Sequence, residues 1–429
     1  QLGMTAVAVT DHGNLFGAME FYETARKNGI KPILGIEAYI ARDHDGKEGD
    51  RRSRVATKTQ DGGSHLVLLA QNLTGWRNLM KLSSDSFLQG FYHRPRMDKS
   101  TLTQWGEGLI AINGHLGSSI AFHLTNFVQT GQASHWALAL DEARWHARTF
   151  APDEHGEPRF YIELQRHIAE QERINPLLKK IAAELKLPLV VDNDAHFLLE
   201  SDHDLHDTLC CISMAKNKDD TARMRYPKEL FVKSPAEMAA TFTEPDEQEA
   251  LANTVRIAAR CSVELPHGES HAPVVRVKSP KQPARYSGGD LTEWFKEYCR
   301  SFELSPFDGA SHASQDESKL ECDRALMMLC EAGLIWRYGP HGVTPVIRAR
   351  LERELQILAN KSISAYFLIV WDFVSWAGQR GIPATARGSG VGTMVGYVLG
   401  LSNACPEKYG LLFERFTDPD RSEYPDIDI

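Results

Sequence analysis

Six residues of metal-binding type in the first 200 positions stand out because each lies in or beside a short β-rich run. His12 follows the run 5–10 as Asp11-His12, Glu37 lies within 32–40, and His65 opens 65–70. His115 follows 109–113, and Asp194-Ala195-His196 follows 187–192. Imidazole and carboxylate in such a set suit Zn, Mn or Fe. The Asp-x-His spacing places Asp194 and His196 on one face of an extended segment, within reach of a single ion. Two or three such ions polarise a phosphoester and supply hydroxide near neutral pH. For any one of these histidines, a hydrogen-bonded structural role is the competing reading. Clustering at strand ends argues against that role for the set, and His65, which precedes its strand, fits the rule least well. His167 after 160–165 stays open between the two roles. His93, His203 and His206 read as solvated or capping residues.

A second group lies near the end of the chain. Ile382-Pro383-Ala384-Thr385-Ala386-Arg387-Gly388-Ser389-Gly390-Val391-Gly392-Thr393 reads as a strand, a Gly-rich turn and a helix start. Backbone N–H groups in such a turn cradle phosphate oxygens, and a helix N-terminus favours negative charge. Arg387 adds a bidentate donor and Ser389 a hydroxyl. Tight helix packing is the plainer explanation of the glycines. Further on, Tyr424-Pro425-Asp426-Ile427-Asp428-Ile429 points Asp426 and Asp428 to the same side of a strand. Neighbouring carboxylates repel unless they share cations, as in two-metal phosphoryl transfer. Two solvated aspartates on an edge strand are the alternative.

These residues need a scaffold. Strands are expected at 6–10, 32–40, 65–70, 109–113, 160–165 and 187–192, with amphipathic helices at 15–28, 75–87 and 175–185. Alternation at this spacing predicts parallel βα units, which carry their chemistry at the carboxyl ends of the strands. The polar stretch 42–63 reads as a surface insertion and 200–265 as helical. A first domain is thus expected over 1–265. The stretch 266–317, rich in Pro, Gly, Ser and His, reads as a linker around one helix at 291–302. A second domain is expected over 318–429, with helices at 351–358, 366–379 and 388–401.

The 429 residues, 42% of them apolar and 24% charged, are ordinary globular composition. No run of about 18 apolar residues occurs, so no membrane partner is expected. The net charge of −9 excludes a uniformly basic nucleic-acid coat. Seven scattered cysteines read as free thiols in a reducing, cytoplasmic setting. A first residue other than Met and a strand broken off at Ile429 lead to the expectation of an internal piece of a longer protein.

The segments Thr10-Asp11-His12-Gly13-Asn14-Leu15-Phe16-Gly17, Gly35-Ile36-Glu37, Ser64-His65-Leu66-Val67-Leu68-Leu69-Ala70 and Asn193-Asp194-Ala195-His196 resemble the polymerase-and-histidinol-phosphatase (PHP) domain. Tyr366-Phe367-Leu368-Ile369-Val370-Trp371-Asp372-Phe373, Arg387-Gly388-Ser389, Leu411-Leu412-Phe413-Glu414-Arg415-Phe416 and Pro425-Asp426-Ile427-Asp428 resemble, in order and spacing, the palm of C-family bacterial replicative DNA polymerases. The resemblance implies an α/β architecture: a PHP-type distorted (β/α)7 barrel, then a linker and part of an α+β palm. It implies His12, Glu37, His65, His115, Asp194 and His196 as ligands of Zn2+ or Mn2+. The family's opening His-x-His would precede Gln1. Arg387, Gly388, Ser389 and Gly390 would hold a nucleotide, although Thr385-Ala386 stands where the family has Pro-Gly. Asp426 and Asp428 would be catalytic, with Mg2+ on Asp428 and a further Asp beyond Ile429, so the piece alone is expected not to polymerise. Implied partners are primer–template DNA, deoxynucleoside triphosphates, a sliding clamp, a clamp loader and a proofreading subunit. The implied function is DNA polymerisation with a PHP 3′–5′ exonuclease. A PHP phosphoesterase and a non-catalytic PHP scaffold are the alternatives.

Overall fold

The computed structural model describes residues 2–41, 63–266, 273–280, 284–307, 314–417 and 426–429. The chain divides into two compact units, Gln1–Leu265 and Pro266–Ile429. Nearly all of the expected insertion at 42–63 lies outside the described residues.

Unit 1 opens with β1 (Ala6–Val9), α1 (Ala18–Lys27), β2 (Lys31–Ile40), β3 (Ser64–Ala70) and α2 (Leu73–Leu88). There follow β4 (Arg96–Met97), α3 (Lys99–Trp105), β5 (Leu109–Asn113), α4 (Ser119–Thr130) and α5 (Ala133–Thr149). The unit continues with β6 (Phe160–Leu164), α6 (Ala169–Leu185), β7 (Leu189–Val191), α7 (His203–Met214), α8 (Pro235–Thr241) and α9 (Pro245–Arg260). Six of the strands pair in the order β1-β2-β3-β5-β6-β7, and β4 pairs with β2. The sheet is a curled half-barrel of the distorted (β/α)7 kind.

One expectation is corrected here. The strands are not all parallel, because β3 runs antiparallel to both β2 and β5. The first residues of β3 therefore lie at the same end of the sheet as the last residues of its neighbours, and Tyr39 pairs with His65. His65 thus obeys the strand-end rule after all. It precedes its strand because that strand runs the other way.

Period-2 alternation divides the side chains between two faces. Leu34, Ile36, Ala38 and Ile40 of β2 join Leu66, Leu68, Leu109, Ala111, Phe160 and Ile162 in the larger core, under α2, α4 and α6. The other face holds Ile33, Leu69, Ile110, Ile112, Tyr161 and Val190, packed against Ile257 of α9 and Cys261. On that second face the apolar run gives way to polar residues toward one end: Glu37 in β2, His65 in β3 and Glu163 in β6. The candidate site is built on those residues.

Unit 2 holds β8 (Val275–Lys278), α10 (Leu291–Arg300), β9 (Glu303–Pro306), α11 (Gln315–Tyr338), α12 (Pro345–Asn360), α13 (Ser364–Gln379) and α14 (Met394–Val398). The stretch that composition reads as a linker contains the expected helix. It also contains the two strands, which pair antiparallel. Val277, Phe295, Tyr298 and Phe302 of this stretch enter one core with Leu326, Leu329, Phe367, Trp371 and Val395.

Near the end of the chain three expectations change. No strand precedes the Gly-rich turn. The helix expected over 388–401 is instead a 3₁₀ turn, Ser389–Gly392, followed by the five-residue α14, with the break at Thr393. The strand expected at the last residues is a single antiparallel bridge between Arg387 and Asp428. All seven cysteines are free thiols, and no single described helix is long and apolar enough to cross a membrane.

Candidate functional sites

In unit 1 the backbone brings the first ligand-type residues together. β1 ends beside β2, where Gly13 N–H donates to the Glu37 carbonyl (2.9 Å) and Glu37 N–H to the Asp11 carbonyl (3.1 Å). These bonds fix His12 next to Glu37. His65 is held by its N–H donating to the Gly117 carbonyl (2.8 Å), in the turn that follows His115. Glu37 is the hub. Its Oε1 lies 2.5 Å from His65 Nδ1 and 3.8 Å from His115 Nε2, and its Oε2 lies 3.5 Å from His12 Nδ1. One ligand atom each from His12, Glu37 and His65 falls within 4.8 Å of the others.

The charges at this cluster follow from burial and from one another. Burial alone would raise the Glu37 carboxyl. The hydrogen bond from His65 and the imidazoles of His115 and His12 outweigh it and hold the group down to about 2. Burial pushes His115 down to about 4, with Glu37 offsetting part of the effect. At neutral pH His115 is therefore an uncharged imidazole, the form that binds metal. Its Nε2 is buried and has no hydrogen-bond partner among the described residues. Burial also lowers His12.

Asp194 and His196 form a neighbouring group after β7. His196 Nδ1 bonds the Asp194 carbonyl oxygen at 2.7 Å, and Asp194 has a left-handed backbone (φ 46°). The two groups sense each other electrostatically: His196 acts on His12, and Asp194 interacts with Glu37 and His65. The curl of the sheet thus brings β1 and β7, its two ends, within electrostatic reach of each other.

Two acids escaped the sequence reading. Glu163, the inward residue near the end of β6, is fully buried, and Asp192 directly follows β7. Burial raises Glu163 well above the carboxylate range, and Asp192, Asp194 and Glu37 push it further up. Burial, then Asp194, raises Asp192 to about 6. Gln165 Nε2 donates to Glu163 Oε1 (2.7 Å) and Asp192 Oδ1 (3.2 Å), while Glu163 Oε2 has no partner among the described residues. The available signal was an acid inside Phe160-Tyr161-Ile162-Glu163-Leu164. Attention to residues after the strand pointed to His167 instead, which bonds Asn193 and Gln171. A crowd of acids with an orphaned buried oxygen, near a neutral imidazole whose Nδ1 accepts from Gly117 N–H and whose Nε2 has no partner among the described residues, has the donor set of a divalent-cation site.

In unit 2 the Gly-rich turn and the aspartate segment meet directly. Arg387 N–H donates to the Asp428 carbonyl (2.9 Å), and Ile427 N–H donates to the Tyr366 hydroxyl (2.8 Å) from α13. Ile427 is buried against the turn, where a Cβ on Gly390 would come within 2.8 Å of its Cγ1. Gly388 takes φ +84°, the region that favours glycine, with Asp428 Oδ2 nearby. Asp426 and Asp428 both face solvent on either side of Ile427. The Ser389 side chain lies outside the described atoms. The helix N-terminus expected to take phosphate is filled from within, because Met394 N–H and Val395 N–H both donate to Glu354 Oε2.

Residues 1–167 match the family model of the PHP domain, and residues 324–429 match that of the bacterial DNA polymerase III alpha NTPase domain. By these two matches the chain is of the class that joins a PHP domain to a bacterial DNA polymerase III alpha domain. It belongs to the DNA polymerase III subunit alpha family. The family's Helicobacter pylori (strain J99) protein is 35% identical over 431 residues, covering all of this chain and 32% of that protein. The Borreliella burgdorferi protein is 36% identical over 435 residues, covering 99% and 32%. The Thermus aquaticus protein is 35% identical over 450 residues, covering 99% and 35%. The chain thus spans about a third of the length of these relatives.

Proposed function

We propose that this chain is part of a DNA-directed DNA polymerase that extends a primer 3′ end, and that unit 2 contributes the start of its nucleotidyl-transfer site. The observation that supports this most is the bridge between Arg387 and Asp428, which joins the Gly-rich turn to a pair of exposed carboxylates. Arg387 and the backbone of Gly388, Ser389 and Gly390 hold the triphosphate. Asp426 and Asp428 hold Mg2+, which when bound lowers the barrier to attack on the α-phosphate. Primer–template DNA, deoxynucleoside triphosphates and the clamp, clamp-loader and proofreading subunits are the partners of this reading, in the cytoplasm. The test is primer extension by the longer polymerase that carries this chain. Extension should require Mg2+ and be abolished by Asp428→Ala. Full extension by that variant would overturn the assignment.

For unit 1 the proposal is a metal-dependent phosphoesterase acting as a 3′–5′ exonuclease. The convergence of His12, Glu37, His65 and His115 favours it. With Asp194 and His196 these residues would hold Zn2+ or Mn2+, which when bound supplies a hydroxide nucleophile near neutral pH. Release of nucleotides from single-stranded DNA by this chain, dependent on Zn2+ or Mn2+ and lost in His115→Ala, is the expected result. Bound metal without any hydrolysis would leave unit 1 a metal-stapled scaffold.

A further inference from the structure

We infer that Glu354, with Arg350, is a positioning residue that sets the shape of the Gly-rich turn and through it the affinity for triphosphate. The inference rests on reading that turn as a triphosphate cradle. Glu354 is fully buried on α12. Its Oε2 accepts from Met394 N–H (2.6 Å) and Val395 N–H (3.0 Å), the first two residues of α14. Its Oε1 accepts from Arg350 Nε (3.1 Å), one helical turn away. Arg350 Nη2 donates in turn to the carbonyl of Gly392 (3.2 Å), the last residue of the 3₁₀ turn, and to that of Leu411 (2.7 Å).

One ion pair on α12 therefore grips both sides of the break at Thr393. Arg350 holds the exit of the turn and Glu354 the entry of the helix. Thr393 between them is buried, and its hydroxyl bonds both Gly390 and Gly396. A carboxylate from inside the protein occupies the donors that a phosphate would otherwise take at a helix start. An incoming triphosphate is thereby left with the N–H groups of the turn itself, next to Arg387 and Asp428.

A role in stability alone accounts for this arrangement poorly. A buried ion pair is often no better for folding than an apolar pair of the same volume. What an apolar pair cannot do is hold one backbone carbonyl and two backbone N–H groups in fixed places around a loop.

The test uses this chain, with two readouts. Hydrogen–deuterium exchange reports on residues 388–398, and calorimetric titration with magnesium deoxyadenosine triphosphate reports affinity. Glu354→Gln keeps the volume but turns an amide NH2 toward Arg350 or the helix start. In that variant exchange across 388–398 should rise and the Kd should increase about tenfold or more, with the thermal midpoint of unit 1 unmoved. Should Glu354→Gln fail to fold, Arg350→Met carries the same test, since it cuts the ties to Gly392, Leu411 and Glu354 together with the looser ion pair to Glu407 (3.8 Å). A variant with a loosened loop and unchanged Kd overturns the positioning role alone. A wild-type chain whose loop amides are protected but which binds no triphosphate overturns the cradle reading, and the inference with it.

Discussion

The Arg387 main-chain N–H donates to the carbonyl of Asp428, and its Nε lies 3.7 Å from Asp428 Oδ2. The side chain suited to a phosphate and the side chain suited to a metal ion thus face each other across a backbone bridge. The side-chain pair is exposed and weak, since Arg387 is 83% and Asp428 52% accessible. The backbone bond does not depend on either side chain. A magnesium triphosphate entering here could separate the two groups at little energetic cost and satisfy both.

Arg387→Ala should therefore weaken nucleotide binding more than primer–template binding. Loss of a charge-assisted contact costs about 1.5–3 kcal/mol, or roughly 10- to 150-fold. Steady-state kinetics of the polymerase carrying this chain separates the two effects. An unchanged KM for nucleotide with weakened DNA affinity would place Arg387 on the DNA backbone instead.

Asp428→Ala should abolish extension with little change in stability. The variant keeps the carbonyl that Arg387 N–H bonds, and the exposed ion pair is worth about 0–1 kcal/mol. Thermal unfolding beside an extension assay checks both halves. A collapse of the fold would make the aspartate structural, and extension within about tenfold of wild type, or roughly 1.4 kcal/mol of barrier, would remove it from the chemistry.

Six of the seven strands of unit 1 are legible in the sequence because apolar runs bounded by turn residues mark their place, whereas the two-residue β4 carries no such run. Strand direction is not legible, because nothing local to 64–70 encodes which way β3 runs. From the sequence alone His65 therefore reads as out of place, whereas its pairing with Tyr39 puts it at the ligand-bearing end of the sheet. Glu163 was hidden for a related reason. A buried acid inside an apolar strand has no local signature of its partners, which come from β2 and the segment after β7. In unit 2 the residues around Arg387 and Asp428 stood out, but the apolar stretch 388–401 read as one helix. The break at Thr393 is held by Glu354 and Arg350, some 40 residues away in sequence, and no local pattern reports such a tie.

Glu354 also predicts a pH dependence. Burial raises its carboxyl to about 7, against the bonds from Val395, Arg350 and Met394 that favour the ionised form. The unfolded chain ionises it near the ordinary carboxylate value. The folded state therefore binds the extra proton between about pH 4.5 and 7, and this group's contribution to stability falls as pH rises through that window and levels off above it. The total is at most roughly 3–4 kcal/mol. Glu354→Gln should remove this component, so denaturant titrations at pH 5 and 7.5 should differ less for the variant than for wild type. Equal differences would show that the carboxyl does not titrate in this range.

The acid cluster of unit 1 gives the last prediction. Glu163 is fully buried, and burial together with Asp192, Asp194 and Glu37 keeps it protonated well above the usual range. A divalent cation among these groups would take the place of that proton. Uptake of Zn2+ or Mn2+ should then release a proton and tighten as pH rises. It should also raise the thermal midpoint of unit 1, because a ligand held only by the folded state adds about 2.7 kcal/mol at a hundredfold excess over Kd, and chelation should reverse the gain. Glu163→Gln resembles the protonated acid in size and hydrogen bonding, so the metal-free variant should fold as well as wild type near neutral pH. Its amide has no proton to give up, so metal affinity should fall at least about tenfold and its pH slope should flatten. Calorimetry in two buffers of different ionisation enthalpy counts the protons, and elemental analysis counts the ions. If Glu163→Gln binds as much metal as wild type with the same proton release, the ions sit on the His12, Glu37, His65 and His115 side alone, and Glu163 serves only to pack β6 against β7.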